Sequence, residues 1–198
     1  MKETAEELRA RILNGAIELF IEKGVEKVTT RELTEHLGLS RSHIYHYFRD
    51  WQTLCLAALT GFMQADLDNL KAKIVGRPAR EQLQLLMRTY LPDVQDAVWQ
   101  LYGSLWQLAI HNETWAALAR QMVEKWQLLL DGIITDGIAE GVFRSADPLR
   151  TARQLGAIIN GYSDLLIVEP SASARQQATE DIDAFIALAL LAPSASGR

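Results

Sequence analysis

Residues Thr29–Leu54 read TTRELTEHLGLSRSHIYHYFRDWQTL. Between Glu35 and Asp50 this stretch has no acidic residue, while it carries Arg41, Arg49, three histidines, Tyr45, Tyr47 and Phe48. The whole chain is acidic, with a net charge of −5. The local chemistry therefore runs against the bulk. Thr29 and Glu32 have capping-box spacing, in which the hydroxyl reaches forward and the carboxylate reaches back, so a helix is predicted to start there. Gly38 is predicted to end it, because glycine takes the positive φ that a tight turn needs. Ser40 is predicted to cap a second helix that runs to about Tyr47 or Phe48. At about 100° per residue, Ile44, Tyr47 and Phe48 fall on one side of that helix, and Ser42, Tyr45, His46 and Arg49 fall on the other. Leu33, Leu37 and Leu39 complete the apolar side. Two short helices joined by LGLS make a helix-turn-helix. The outward face offers hydrogen-bonding and cationic groups without a carboxylate, as a helix in a DNA groove requires. The plain alternative is a solvated surface face that happens to lack acids.

Outward from this stretch, apolar residues recur at helical spacing almost throughout, and no run alternates as a strand does. The expected fold class is all-α, with nine helices. Leu8, Ile12, Ala16, Leu19 and Phe20 form the buried stripe of a first helix over Thr4–Lys23, which Gly24 stops. Asp50 is expected to cap a long fourth helix to about Val75, and VGRPAR reads as the linker after it. Further helices are expected over Pro78–Leu91, Val94–His111, Glu113–Glu140, Pro148–Val168 and Ala172–Leu191, with Pro92, Asn112, Gly141 and Pro170 as punctuation. The tail PSASGR is expected to fray.

The pattern resembles the DNA-binding domain of TetR-family transcriptional regulators. The matching segments are RILNGAIELFIEKG, TTRELTEHLGLSRSHIYHYF and RD..TL, and Leu19, Phe20, Gly24, Thr29, Leu33, Gly38, Leu39, Ser40, Tyr45 and Phe48 fit the family pattern. The resemblance covers roughly the first quarter of the chain. It implies a helix-turn-helix domain over residues 1–49, followed by a helical ligand-binding and dimerisation domain over residues 50–193. It also implies that Thr29 and Thr30 touch phosphate, that Arg41, Ser42 and His43 face base edges or nearby phosphates, and that Tyr45 gives its hydroxyl to phosphate. His46 lies on the same face. Two positions depart from the family. Thr34 stands where alanine is frequent. Trp51 stands where a phosphate-contacting lysine is usual, and Arg49 is close enough to substitute.

The second domain is rich in large aromatics. Trp99, Tyr102 and Trp106 are spaced i, i+3 and i+7, Tyr90 ends the preceding helix, and Trp115 and Trp126 follow on the next. Aromatic stripes at helical spacing are usually core. Tyr90, Trp99, Tyr102 and Trp106 are also candidates to line a small-molecule pocket, since such sites in helical proteins are apolar with few polar groups. The family resemblance places an inducer pocket among these middle helices, and tryptophan faces suit an organic cation. The middle and C-terminal segments faintly resemble the choline-responsive BetI branch. The last two helices carry candidate dimer stripes: Leu155, Ile158, Ile159, Tyr162 and Leu166 on one, and Ile182, Phe185, Ile186, Ala189 and Leu190 on the other. Gly156 and Gly161 are expected to let a partner helix approach. The alternative is that these faces pack only within one chain. A two-fold DNA reader needs a dimer to place two recognition helices about one duplex turn apart.

Composition narrows the remaining classes. At 48% apolar and 23% charged, the 198-residue chain buries a real core rather than staying disordered. Lys2 precedes a charged segment rather than an apolar one, and no apolar run reaches membrane-span length, so a cytoplasmic protein without a membrane partner is expected. Residues 1–50 carry 8 Lys and Arg against 9 Asp and Glu, so any positive face is local. There is no H-E-x-x-H, no Cys/His ligand spacing and no Gly-rich phosphate loop, so neither catalysis, nor a metal, nor a cofactor is expected. His43 and His46 have i, i+3 spacing but lack a carboxylate or cysteine beside them. Cys55 reads as a buried inert thiol. The expected function is a homodimeric repressor that binds a palindromic double-stranded operator and is released by a small apolar or cationic inducer. The rivals are a constitutive DNA-binding protein and a helical enzyme with a vestigial helix-turn-helix.

Overall fold

The computed structural model describes residues 3–92, 97–168 and 170–191. Among these residues there are nine α-helices and no strand: α1 Ala5–Lys23, α2 Thr30–Leu37, α3 Arg41–Tyr47, α4 Trp51–Ile74, α5 Ala79–Tyr90, α6 Ala97–His111, α7 Glu113–Ala139, α8 Pro148–Val168 and α9 Ala172–Leu190. A short 3₁₀ turn over Val25–Lys27, not foreseen in the sequence, fills the α1–α2 connection. It buries Val25, and Val28 just beyond it is buried too, so the connection is held by apolar anchors. The start expected for α6 at Val94 and the fraying expected of residues 193–198 lie outside the described residues.

The helix boundaries follow from their caps. Thr4 and Thr29 each accept from the backbone N–H three residues on, while Glu7 and Glu32 reach back to the cap residue's own N–H. Two otherwise unpaired amides are satisfied at each start. Gly38 ends α2 at φ 65°, a left-handed conformation in which a side chain is strained. Asp50 accepts from the Thr53 amide at 2.7 Å and opens α4.

The described residues fall into two compact units. The first comprises those up to Asp66 together with Gln100–Arg120. In it Ile12, Ala16, Leu19 and Phe20 of α1 are buried as predicted, with Leu33, Ile44, Phe48, Leu54 and Leu59; Leu8 is only half-buried. A Cβ on Gly15 would lie 2.7 Å from a Leu37 methyl, so the glycine leaves room for that side chain, which would have to shift for alanine. The second unit comprises Leu67–Trp99 and the described residues from Gln121 onward. Here the helix ends are closed by side chains. Arg175 donates to the Arg88 and Leu91 carbonyls at the end of α5, and the buried Ser163 hydroxyl donates to the Tyr90 carbonyl at 2.6 Å. Arg144 donates to the Leu188 and Ala189 carbonyls at the end of α9. Each contact satisfies carbonyls that a helix end leaves without an internal partner.

Candidate nucleic-acid interface

The helix α3 is only seven residues long, too short to be stable alone, so packing must hold it. Ile44 is fully buried and Phe48, just past its end, is 3% exposed. Leu33 anchors α2 in the same core. The Arg9 guanidinium lies 5.3 Å from the Phe48 ring centroid and covers that ring. With its inner side fixed, the helix has a fixed outer side. Arg41, Ser42, His43, Tyr45, His46 and Arg49 are all exposed. Tyr47 and Ile44 stay on the inner side, as the face analysis predicts.

The structure also joins the two helices at their outer edge. The hydroxyls of Thr30 and Tyr45 lie 3.0 Å apart, so these two candidate residues stand as one polar pair. Thr29 is committed to its cap, with its hydroxyl 3.0 Å from the Glu32 carboxylate. The ring of His46 packs edge-on against Tyr47 at 5.1 Å between centroids. Arg49 reaches the Asp50 carboxylate only at 3.9 Å and remains fully open to solvent.

Carboxylates flanking this stretch are occupied, Glu35 by Arg31 at 2.8 Å. The Thr29 backbone N–H, then Lys23 and the Thr29 hydroxyl, hold the Glu32 carboxyl below its ordinary value. The Thr53 backbone N–H, then the Thr53 hydroxyl, does the same for Asp50. Both acids therefore stay ionised while their charge is turned toward helix N-termini, where it is favourable. Trp51, which replaces the family's usual lysine, sets its ring edge-on to Phe20 at 6.4 Å. It serves packing rather than charge, which leaves Arg49 as the cation at this corner. Cys55 is buried, and desolvation pushes its thiol up to about 12, so it is not a nucleophile. Among the described residues no three His, Cys, Asp or Glu side chains form a metal-binding group, and no helix is long and apolar enough to cross a membrane.

The candidate ligand residues divide between the units. In the second, Tyr90 meets Trp99 edge-to-face at 5.7 Å and Trp126 at 4.4 Å. The sequence places Trp126 on the next helix but gives no sign that it meets Tyr90, since only tertiary packing brings them together. In the first, Tyr102 lies 6.5 Å from Trp106, and its hydroxyl donates to Asp66 at 3.4 Å. Tyr90, Trp99 and Tyr102 are buried, and Trp106 is half-buried.

Of the candidate dimer residues, Leu155, Ile159, Leu166, Ile182 and Ile186 are buried inside the chain's own second unit. The stripe on α8 and the stripe on α9 are part of that unit's core, so these five side chains have little surface left for a partner. Tyr162, Phe185 and Ala189 keep partial exposure, and the Tyr162 hydroxyl donates to Asp181. Gly156 faces a Leu130 methyl within the unit, whereas Gly161 faces open space. The exposed large apolar side chains of these two helices are Leu149, Leu165, Val168 and Leu188.

Comparison with known proteins agrees with this geometry. Residues 12–58 match the family of bacterial regulatory proteins of the tetR type, and residues 79–191 match the C-terminal region of BetI-type transcriptional repressors. The chain is 27% identical over 141 residues to the HTH-type transcriptional repressor KstR2 of Rhodococcus jostii, spanning 69% of this chain and 68% of that one. It is 45% identical over 49 residues to an HTH-type transcriptional repressor of Mycobacterium tuberculosis, a match to 25% of this chain and only 26% of the relative. In fold it is similar to a TetR transcription regulator from Haloarcula marismortui, with TM-score 0.83, 20% identity and coverage of 93% and 99%. It is also similar to a Saccharomonospora viridis protein solved in complex with choline, with TM-score 0.82, 24% identity and coverage of 95% and 100%.

Proposed function

The chain belongs to the TetR family of bacterial regulatory proteins, with a C-terminal region of the BetI type, and we propose that it acts as a homodimeric repressor released from its operator by a small organic cation. It is a transcriptional regulator. The observation that carries the DNA-reading part of this proposal is the outer face of α3. Five exposed donors and cations stand on a helix whose opposite side is locked by Ile44 and Phe48, and Arg49 stands exposed just past its end. Residues 1–49 form the reader. Arg49 and the Thr30–Tyr45 hydroxyl pair take phosphates, and Arg41, Ser42 and His43 take base edges or the phosphates beside them. His46 extends the same face. Residues 50–193 hold the effector and dimer functions, and the protein acts in the cytoplasm, where its operator is.

For the effector, the support is the Tyr90, Trp99 and Trp126 ring cluster, since aromatic faces attract a quaternary ammonium through their quadrupoles. The choline held by the Saccharomonospora viridis protein favours the same class. Tyr102 and Trp106 are proposed as further ligand residues on their helix spacing. Such a ligand must prefer the form that does not bind DNA, because equal affinity for both forms shifts nothing. For the dimer, Gly161, Leu165 and Val168 recur at i, i+4 and i+7 on α8, and Leu188 is exposed on α9. These outer side chains, with Tyr162, Phe185 and Ala189, are the proposed contact.

The test is selection of bound sequences from a random duplex pool, followed by titration of the complex with choline and related quaternary ammonium ions. A palindromic consensus and its release by one of these cations are expected. A consensus that no ligand disturbs supports the constitutive alternative instead.

A further inference from the structure

The first turn of α3 contains a hydrogen-bond network that fixes what two of its residues can read. Ser40, the N-cap, accepts from the His43 backbone N–H. The reverse arm of this capping box comes from a histidine, where Glu or Gln is usual. His43 Nδ1 lies 2.7 Å from the Ser40 hydroxyl and 3.4 Å from the Ser40 backbone nitrogen. Ser40 Oγ lies 2.7 Å from Ser42 Oγ.

The proton positions follow from counting donors. A backbone N–H only donates. With the Ser40 N–H aimed at it, Nδ1 of a neutral ring must be the acceptor, and the ring proton sits on Nε2. The Ser40 hydroxyl, with one proton, then gives it to Nδ1. The 2.7 Å contact between the serine oxygens still needs a proton, so Ser42 supplies it. In the opposite tautomer the Nδ1–H would donate to the Ser40 hydroxyl and face the Ser40 N–H, so the reverse arm of the box would be lost to water. Both side chains are exposed, and neither outward atom has another partner among the described residues.

We infer that this network makes His43 and Ser42 complementary readers of the major groove, His43 offering only a donor through Nε2–H and Ser42 offering only acceptor lone pairs. The inference rests on the proposed DNA-binding function. His43 then pairs with purine N7, guanine O6 or thymine O4, and Ser42 pairs with the amino group of adenine or cytosine. The pair carries opposite polarity on adjacent residues, although serine and neutral histidine can each serve either way elsewhere.

Two measurements test this. In the free protein, the imidazole ¹⁵N resonances of His43 in mildly alkaline buffer should show a protonated Nε2 and a bare Nδ1; the reverse overturns the inference whatever happens with DNA. On the selected operator, base analogues then delete single groove atoms: 7-deazapurines remove N7, and analogues lacking the 4- or 6-substituent remove the carbonyl or amino group. Deleting one acceptor should weaken wild-type binding roughly three- to tenfold and leave His43→Ala unaffected. Deleting one amino group should do the same for wild type and leave Ser42→Ala unaffected. Exchanged sensitivities, or a specifically bound operator indifferent to every deletion, overturn the inference alone. A chain that selects no DNA sequence overturns the function reading together with it. Melting curves confirm that both surface variants remain folded.

Discussion

The α2–α3 pair and the α8–α9 pair bury their side chains in very different proportion. The first buries Leu33 and Ile44, one residue per helix, and leaves the rest of α3 largely open. The second buries Thr151, Ala152, Leu155, Ile159, Ser163 and Leu166 along α8, and Ala178, Ile182, Ile186 and Leu190 along α9. Both pairs show apolar residues at helical spacing, and in both the spacing correctly marks a face that leaves water. It does not say what covers that face. On α3 the question hardly arises, because a seven-residue helix has only one apolar side, and the chain's own core takes it. On α8 and α9 the apolar residues are numerous enough to cover two faces, and the more regular stripe is the internal one.

The largest expected effects test this difference directly. Ile182→Ala and Leu155→Ala each remove a fully buried side chain from the second unit, and should cost about 2–5 kcal/mol of stability. If those side chains served a partner instead, the loss would appear in the dimer dissociation constant and depend on protein concentration. Leu165→Arg is the counterpart. Leu165 is 66% exposed, so its replacement should leave the protomer's melting nearly unchanged. It should weaken dimerisation by about 2 kcal/mol or more if the side chain lies near the centre of the contact. Sedimentation across a dilution series, beside thermal melting, separates the two. A Leu165→Arg dimer as tight as wild type places the contact on another face.

Legibility followed the same division. The start of α2, the Gly38 turn, the Ser40 cap and the buried sides of α1 and α3 were readable because each depends on residues within four positions of one another. The 3₁₀ turn at Val25 was not, because three residues carry too little periodicity. The Thr30–Tyr45 pair, fifteen residues apart, and the Tyr90–Trp126 contact depend on how helices pack, which spacing along one helix does not encode. Trp51 was legible as a departure from the family, but its packing on Phe20 was not.

A smaller effect compares two identical caps within the first unit. Thr4 and Thr29 make the same capping box, one far from α3 in sequence and one at the proposed phosphate edge. Thr4→Ala and Thr29→Ala should each cost about 1 kcal/mol of stability. Only Thr29→Ala should also weaken DNA binding beyond what its melting shift explains. Both boxes share an acid signature, since backbone N–H groups hold Glu7 and Glu32 below the ordinary 4.5. A carboxyl depressed in the folded state stabilises it above the unfolded value, and that contribution is lost as pH falls through the folded one. Melting temperatures recorded from pH 6 downward should therefore begin to fall near 4.5 in wild type, and less steeply in Glu7→Gln and Glu32→Gln. Identical slopes in all three would mean that the caps contribute nothing to acid sensitivity.

The smallest effect separates the outer residues from one another. The Tyr45 hydroxyl pairs with Thr30 rather than with the Ser40–His43 network, and Arg49 stands beyond the end of α3. A phosphate contact carries no base information, so Tyr45→Phe and Arg49→Ala should weaken binding to every operator variant by a common factor. Loss of one neutral hydrogen bond predicts about 0.5–1.5 kcal/mol for Tyr45→Phe. Loss of one cation on phosphate predicts that Arg49→Ala lowers the salt slope of binding by about one ion, which Tyr45→Phe must not do. Titrations on a panel of single-base operator variants at several salt concentrations measure both quantities. If Tyr45→Phe changes the order of preference among the variants, Tyr45 reads bases, and the edge assigned to phosphate lies in the groove instead.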